Sequence, residues 1–505
     1  MTSIAQFEVD GVPVFCAGES GQLTGGLIFR VGQADESLPG RGVTHLIEHL
    51  ALGPLVREHR SANGAVGVTL TRFEVAGEPA EVCAFLKAVT QSLAALSFER
   101  LPTELRVLRT EEQRRSNSLS SLALSLRFGP TGYGIVDCPE LGLVAPDAEA
   151  VDAWRRRWFT RANAAVWLSG PLPEGLDLSA LPDGERIAPP APAPYPYRLP
   201  AWYPGSDSYI GVSLLAPRSV ALWTARAVLG DRLYDRLRAG EGHSYEVSVD
   251  YDRLTAADAA LLVLTDALPE AAEQVRDAVS VELHRLARGG ATDDEVAEVR
   301  RRFERARRDP DAGWALAERF ACDTLMTGAP ESLDDVEAQL AVLTGAEVGT
   351  ALREALRSAL WLVPGAIGMY DRRVRALPLG SEAGIEGREF QRVAGIDERL
   401  EGDLLHVGSD GVSIAERDGL LLTVTFDACL AVQRFDDGAR VLWGADSLRL
   451  IVHPGTWADG EQAVAAIDEL VEPRLVVAMG EPSGYEPPVV AAGSTGLLQR
   501  LRRRG

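Results

Sequence analysis

Lysine is almost missing from this chain. Lys87 is the only one in 505 residues, so arginine carries nearly all the positive charge. Acidic residues still outnumber basic ones, 73 to 51, which leaves a net charge of −22 and an isoelectric point near 4.9. Such an acidic balance argues against electrostatic capture of nucleic acid. Cysteine is scarce too. Cys16, Cys83, Cys138, Cys322 and Cys429 are widely spaced and form no C-x-x-C pair. That pattern points to neither a disulfide framework nor a thiolate zinc site. No apolar run reaches about 18 residues, the length that spans a bilayer. The N-terminus shows no basic stretch followed by an apolar one, as a secretory leader would. The expectation is a cytoplasmic protein without a membrane partner.

What is present is ordinary globular material: 46% hydrophobic and 25% charged residues. At about 150 residues per domain, the length predicts about three domains. The clearest break is Pro189-Pro-Ala-Pro-Ala-Pro-Tyr-Pro-Tyr-Arg-Leu-Pro200, whose alternating prolines favour a stiff extended spacer. A second break follows Trp361-Leu-Val-Pro-Gly, where the chain turns rich in glycine and charge to about Gly387. The predicted domains are 1–185, 200–375 and 388–505.

The first two predicted domains share an order of elements, read as a weak internal duplication of an α+β unit. In the first, a strand at Gly26–Val31 precedes a helix from about Gly42 to Arg60, a strand at Gly67–Val75 and a helix from Pro79 to Leu96. In the second, strands at Tyr209–Leu215, Tyr245–Asp250 and Ala259–Leu264 alternate with helices at Val220–Leu237 and Leu268–Ala287. The third domain reads as six short strands between Asp403 and His453, closed by one helix over Asp459–Val471. That order suggests a small barrel or sandwich, pleckstrin-homology-like in outline.

The chemistry lies in Gly42-Val-Thr-His45-Leu-Ile-Glu48-His49-Leu-Ala-Leu. This is an H-x-x-E-H pattern. On a helix, His45 and His49 stand one turn apart on one face, and two neutral imidazoles so placed can ligate one Zn²⁺. Glu48 lies beside the same face and can hold a water against the metal without being a ligand. Leu46, Ile47 and Leu50 would anchor the helix in the core. H-x-x-E-H occurs among zinc peptidases as the inverse of H-E-x-x-H. A catalytic zinc takes three protein ligands and keeps one open position, so a third ligand should come from another helix. Leu101–Arg115 opens as a helix with Pro102 and Thr103 at its start. Glu104 and Glu111, seven residues apart, share one of its faces, while Glu112 points about 100° away.

These residues resemble the pitrilysin/insulinase-type (M16) zinc metallopeptidases, the family that includes the mitochondrial processing peptidases. The resemblance covers most of residues 5–375. It rests on Phe29-Arg-Val-Gly32, His45–His49, the Glu104/Glu111 pair and Trp158-Phe-Thr-Arg-Ala-Asn163-Ala-Ala-Val-Trp-Leu-Ser-Gly170. It implies two M16-like sheet-plus-helix domains in tandem, with zinc on His45, His49 and Glu111. It also implies Glu48 as general base and Glu104 as the residue that orients a ligand. Leu237-Arg238-Ala-Gly-Glu-Gly242-His-Ser-Tyr245 is similar to the R…G-x-x-Y element of the family's second modules. By that likeness, Arg238 and Tyr245 reach across a two-halved chamber to the substrate carbonyl. The family's substrate-binding edge strand maps onto about Ala65–Thr69, so Val66, Gly67 and Val68 are the expected peptide-binding positions. Here its Asn-Ala-x-Thr pattern is replaced, and the interval between His49 and Glu111 is shorter than usual. The third domain has no counterpart in the common two-domain members.

The implied function is zinc-dependent endopeptidase cleavage of a peptide substrate. The chamber would be completed as a homodimer, or as a heterodimer with a related M16-like chain. Alternatives are a maturation peptidase trimming the leader of one peptide natural product, a non-catalytic peptide-binding or partner subunit, and an adaptor whose third domain docks partners.

Overall fold

The computed structural model describes residues 4–18, 22–55, 61–115, 118–205, 209–240, 246–309, 312–378, 380–393 and 402–484. The first repeat runs β1 (Ala5–Val9), β2 (Val12–Cys16), β3 (Leu23–Phe29), α1 (Val43–Leu52), β4 (Asn63–Val66), β5 (Thr71–Gly77), α2 (Pro79–Ala94), α3 (Leu101–Arg114), α4 (Leu119–Phe128), α5 (Ala148–Trp158) and β6 (Ala164–Leu168). Its six strands lie in the order β1-β2-β6-β3-β5-β4, with β2 and β6 parallel and β4 at one edge. The second repeat runs β7 (Ala201–Tyr203), β8 (Tyr209–Pro217), α6 (Val220–Leu233), β9 (Val247–Arg253), β10 (Asp258–Asp266), α7 (Ala272–Gly289), α8 (Asp293–Arg308), α9 (Gly313–Thr327), α10 (Leu333–Val342), α11 (Gly345–Ala355), β11 (Leu360–Leu362) and β12 (Arg375–Ala376). Its order, β12-β7-β11-β8-β10-β9, matches the first from the parallel pair to the opposite edge.

Local sequence explains the elements. In α2, Pro79 sits in the first turn, and Glu78 and Glu81 form a reciprocal cap at its start. Val82, Phe85, Leu86, Val89 and Leu93 then fall at helical spacing and are fully buried. Each such side chain contributes about 1.5–3 kcal/mol. The helix α1 stops at Leu52 rather than near Arg60 because Gly53-Pro54 follows. Gly53 still donates to the His49 carbonyl, but Pro54 has no N–H to continue the ladder. The strand expected from Gly67 starts only at Thr71, because Gly67–Thr69 turn the chain between β4 and β5.

The two repeats exchange helices. One face of the first sheet is packed by α1, α2 and α5. Its other face buries Phe15, Ile28 and Trp167 against Ala317, Ala321 and Leu325 of α9 from the second repeat. Reciprocally, Ala123 and Leu126 of α4 pack on Leu262, Leu360 and Leu362 of the second sheet. Buried Arg127 anchors this exchange by donating to Ser213 Oγ at 2.7 Å and to the Ser358 carbonyl at 2.8 Å. The proline-rich segment lies along this junction. Tyr133 donates to the carbonyls of Pro190 (3.0 Å) and Leu254 (2.7 Å), tying it to both sides.

A third lobe follows. One four-stranded sheet is β13 (Arg388–Gln391), β14 (Leu404–Gly408), β15 (Gly411–Ala415) and β16 (Leu421–Thr425). The other holds β17 (Cys429–Arg434), β18 (Arg440–Gly444), β19 (Arg449–Val452) and β20 (Val476–Ala478) in the order β19-β18-β17-β20. The helix α12 (Gly460–Leu470) buries Ala463, Val464 and Ile467 in the core between them. It does not close the lobe as the sequence suggests, because β20 follows it and pairs in parallel with β17.

Candidate metal centre

The site forms where α1 and α3 pack together. Glu36 caps α1 from the preceding loop, accepting from the backbone N–H of Gly42 (2.9 Å) and Thr44 (2.8 Å). Gly42 enters the helix at φ 98°, and a side chain there would collide with Glu140 and Leu143. Leu46, Ile47 and Leu50 are buried in the core, which turns His45 and His49 toward α3. On α3, Glu104 and Leu108 are buried, and Glu111 continues the same stripe into the open cavity.

The His45 and His49 rings meet edge-on at 4.9 Å. Their Nε2 atoms lie 3.6 and 3.5 Å from Glu111 Oε2. One ligand atom from each of the three residues falls within 4.8 Å of the others. Each imidazole is held from behind by a carboxylate. His45 Nδ1 donates to Glu140 Oε1 at 3.1 Å, and His49 Nδ1 donates to Glu104 Oε2 at 3.3 Å. In neutral rings these contacts favour the Nδ1–H tautomer, which turns both Nε2 atoms toward Glu111 as ligands for a cation. Glu104 is itself fixed by Arg100, 2.7 Å from its Oε1, and Glu140 has Arg41 at 3.7 Å.

The donor set fits a divalent cation: two neutral imidazoles, one carboxylate and an open side. Glu48 stands beside this set, 3.7 Å from His49 Nε2, and is only 5% exposed. Its carboxylate presses against Gly64 of β4, where any side chain would overlap it. Burial pushes the Glu48 carboxyl above the usual carboxylate range, partly opposed by His49 and His45. For His45, burial disfavours the charged ring, but Glu140, Glu48 and Glu111 outweigh it and raise its pKa. For Glu140, burial is likewise outweighed by the His45 hydrogen bond and the charges of His45, Arg41 and Arg115, so it falls below its ordinary value.

Glu112 lines the same cavity but lies 3.4 Å from Arg115 and is not among the residues whose ligand atoms converge. Val66 ends β4, whereas Gly67 and Val68 lie in the turn after it. The carbonyls of Gly67 and Val68 are taken by the N–H groups of Gln33 (3.0 Å) and Ala34 (2.8 Å), and that of Val66 by Gln33 Nε2 (3.1 Å), so the edge strand is Asn63–Val66 rather than 65–69. All three residues still line a cavity of about 650 Å³ shared with His45, Glu111 and, from the second repeat, Asp252. Arg238 belongs to a π-helical turn, Tyr234–Gly240, that extends α6. Tyr245 lies outside the described residues, as does the Arg238 side chain. Sequence reasoning missed Glu140, which stands in a loop 95 residues from His45, and Arg100, whose i,i+4 spacing to Glu104 was the available signal.

No family model matches the sequence, and no curated protein matches it. Solved structures do match. A protease from Helicobacter pylori aligns with a TM-score of 0.60 at 14% identity, over 72% of this chain and 100% of that one. The first half of the periplasmic protease PqqL from Escherichia coli gives 0.58 at 14%, over 72% and 92%. An M16 peptidase inactive domain from Pseudomonas fluorescens gives 0.58 at 17%, over 71% and 97%. The tandem repeats therefore have the M16 peptidase fold, in the half-length form. Among the described residues, no helix is long and apolar enough to cross a membrane.

Proposed function

We propose that this chain is a zinc-dependent endopeptidase. The observation that carries the reading is the convergence of His45, His49 and Glu111, with a carboxylate behind each imidazole and Glu48 alongside. His45, His49 and Glu111 would hold the zinc, and when bound it would polarise the scissile carbonyl and acidify a water. Glu48, buried and raised in pKa, takes the proton from that water and delivers it to the leaving amine. The edge strand β4 offers main-chain groups to an extended peptide directly above Glu48, a sequence-tolerant way to hold substrate. Arg238 and Tyr245 would bind the carbonyl side of a site in a partner chain. The partner is a second copy or a related M16-like chain, and two such half-chambers close around the peptide. The described cysteines are all unpaired thiols, which fits a reducing cytoplasm.

The Pseudomonas structure is described as an inactive domain, so the competing reading is a non-catalytic subunit. The intact set of ligands and base favours the enzyme. Zinc analysis coupled to a peptide-library digest separates the two. Native protein should hold zinc and cleave. Glu48→Gln should keep zinc while the rate falls by about 10²-fold or more. Zinc binding without cleavage by the native protein, alone or with its partner, would favour the non-catalytic subunit. If a homodimer forms, mixing Glu48→Gln with Tyr245→Phe chains and allowing exchange should restore activity. Demonstrated exchange with no recovery would reject completion of the site in trans.

A further inference from the structure

Glu140 lies in an irregular segment that is held in part by its neighbours. Between α4 and α5 the chain makes only two short 3₁₀ turns, Gly132–Asp137 and Leu141–Leu143, with Glu140 between them. From the inside, buried Arg41 donates Nε to the Ile135 carbonyl at 3.0 Å, and Arg115 donates to the Cys138 carbonyl at 2.9 Å. From the outside, the support comes from the third lobe. Ile135, Cys138 and Leu141 share one buried cluster with Ala431, Val441 and Trp443 of β17 and β18. Trp443 is itself fixed, donating Nε1 to Gln433 Oε1 at 2.8 Å. Just before the segment, the Ala445 carbonyl occupies the space a side chain at Gly129 would need. The residues that pack on the third lobe, Cys138 and Leu141, bracket Glu140 within two positions. Glu140 in turn holds His45 Nδ1 at 3.1 Å.

We propose that the third lobe is a positioning element of the metal centre. By clamping the 132–143 segment, it sets Glu140 against His45 and so fixes the direction of one zinc-binding imidazole. The lobe is then a working part of the site, not an appended docking module. This rests on the proposed zinc site, and the test separates the two.

Zinc affinity is measured by chelator competition on the full chain. Glu140→Gln, which keeps an acceptor but loses the charge, should weaken zinc about 10–100-fold. Trp443→Ala should weaken zinc about tenfold in the native background and have little further effect in the Glu140→Gln background, because both act through one group. Trp443→Phe should largely restore affinity. Trp457→Phe, buried in the third lobe's own core, should leave zinc affinity unchanged. If Trp443→Ala fails to fold, Val441→Ala makes a smaller cut in the same contact and is judged by the same criteria. Equal weakening in both backgrounds, or native zinc affinity in a folded Trp443→Ala or Val441→Ala chain, overturns the inference and leaves the zinc site standing. Absence of zinc binding by the native chain overturns both.

Discussion

The two repeats build the same pair of packed helices and fill it with opposite chemistry. In the first, α1 and α3 bring two imidazoles together with Glu48, Glu104 and Glu111. Arg100 and Arg41 tie down Glu104 and Glu140, the carboxylates behind the histidines, and leave Glu111 facing the cavity. In the second, the corresponding helices α6 and α8 close on themselves. Arg232 forks onto Glu295 at 2.6 and 2.7 Å, and Arg302 meets Asp231 at 2.8 Å. The second repeat has its own cavity, about 740 Å³, between α6, α8 and the edge strand β9. Among the described residues, no metal-ligating cluster other than His45, His49 and Glu111 is found. The scaffold thus accepts either an internal cation or a place for an external one. Arginine in the second repeat supplies the positive charge that a bound cation would supply in the first.

The most damaging way to break this comparison is to empty the first repeat. His49→Ala or Glu111→Ala should leave no zinc after dialysis, and peptide cleavage should fall to background. Glu112→Ala should keep both, since its side chain pairs with Arg115 instead. A need for Glu112 in metal binding would mean that the helix register assigned to the site is wrong. Next in size is Glu104→Ala, which removes the acceptor behind His49 without touching a ligand. Zinc affinity should drop by about 10–100-fold, read by chelator competition.

The parts of this contrast differ in how far they could be read from sequence. His45, Glu48 and His49 were legible because helical geometry brings i and i+4 together, and apolar Leu46, Ile47 and Leu50 set which face is buried. The Glu104/Glu111 stripe was legible for the same reason, and resemblance to a known family singled out Glu111 as the ligand. The edge strand was placed a few residues late, because it was carried onto Ala65–Thr69 from the family's pattern, whose Asn-Ala-x-Thr sequence is replaced here. Only the fold reveals that Gln33 and Ala34 take its carbonyls. Glu140 had no local signal, since its partner is 95 residues away and its loop has no periodicity. The exchange of α4 and α9 between sheets was invisible too. An amphipathic helix shows that one face is buried, not which sheet buries it. In the third lobe, six short strands were located well, but nothing in the sequence divides them between two sheets or announces β13 and β20.

The smallest expected effect tests the second repeat, where the comparison says charge is structural. Arg232 and Glu295 are 17% and 29% exposed, so their forked pair is partly shielded from water. Removing it with Arg232→Ala should cost about 1–3 kcal/mol locally. A chain with several packed units does not unfold in one step, so the cost is best read by hydrogen exchange in the α6 and α8 segments. Zinc content should stay native. The same variant has a pH signature. Glu295 is held below the usual carboxylate range, first by the Arg232 hydrogen bond and, with burial opposing, also by the Thr292 backbone N–H at 2.7 Å. A carboxylate depressed by folding stabilises above its unfolded value, near about 4.3, and loses that contribution as pH falls through its lower folded value. Native α8 should therefore lose protection on acidification, after correction for intrinsic exchange. In Arg232→Ala the loss should be shallower but not absent, since the Thr292 bonds remain. An identical acid profile in both proteins would mean that the pair contributes nothing to the fold. The second repeat would then no longer be the self-neutralised counterpart of the first.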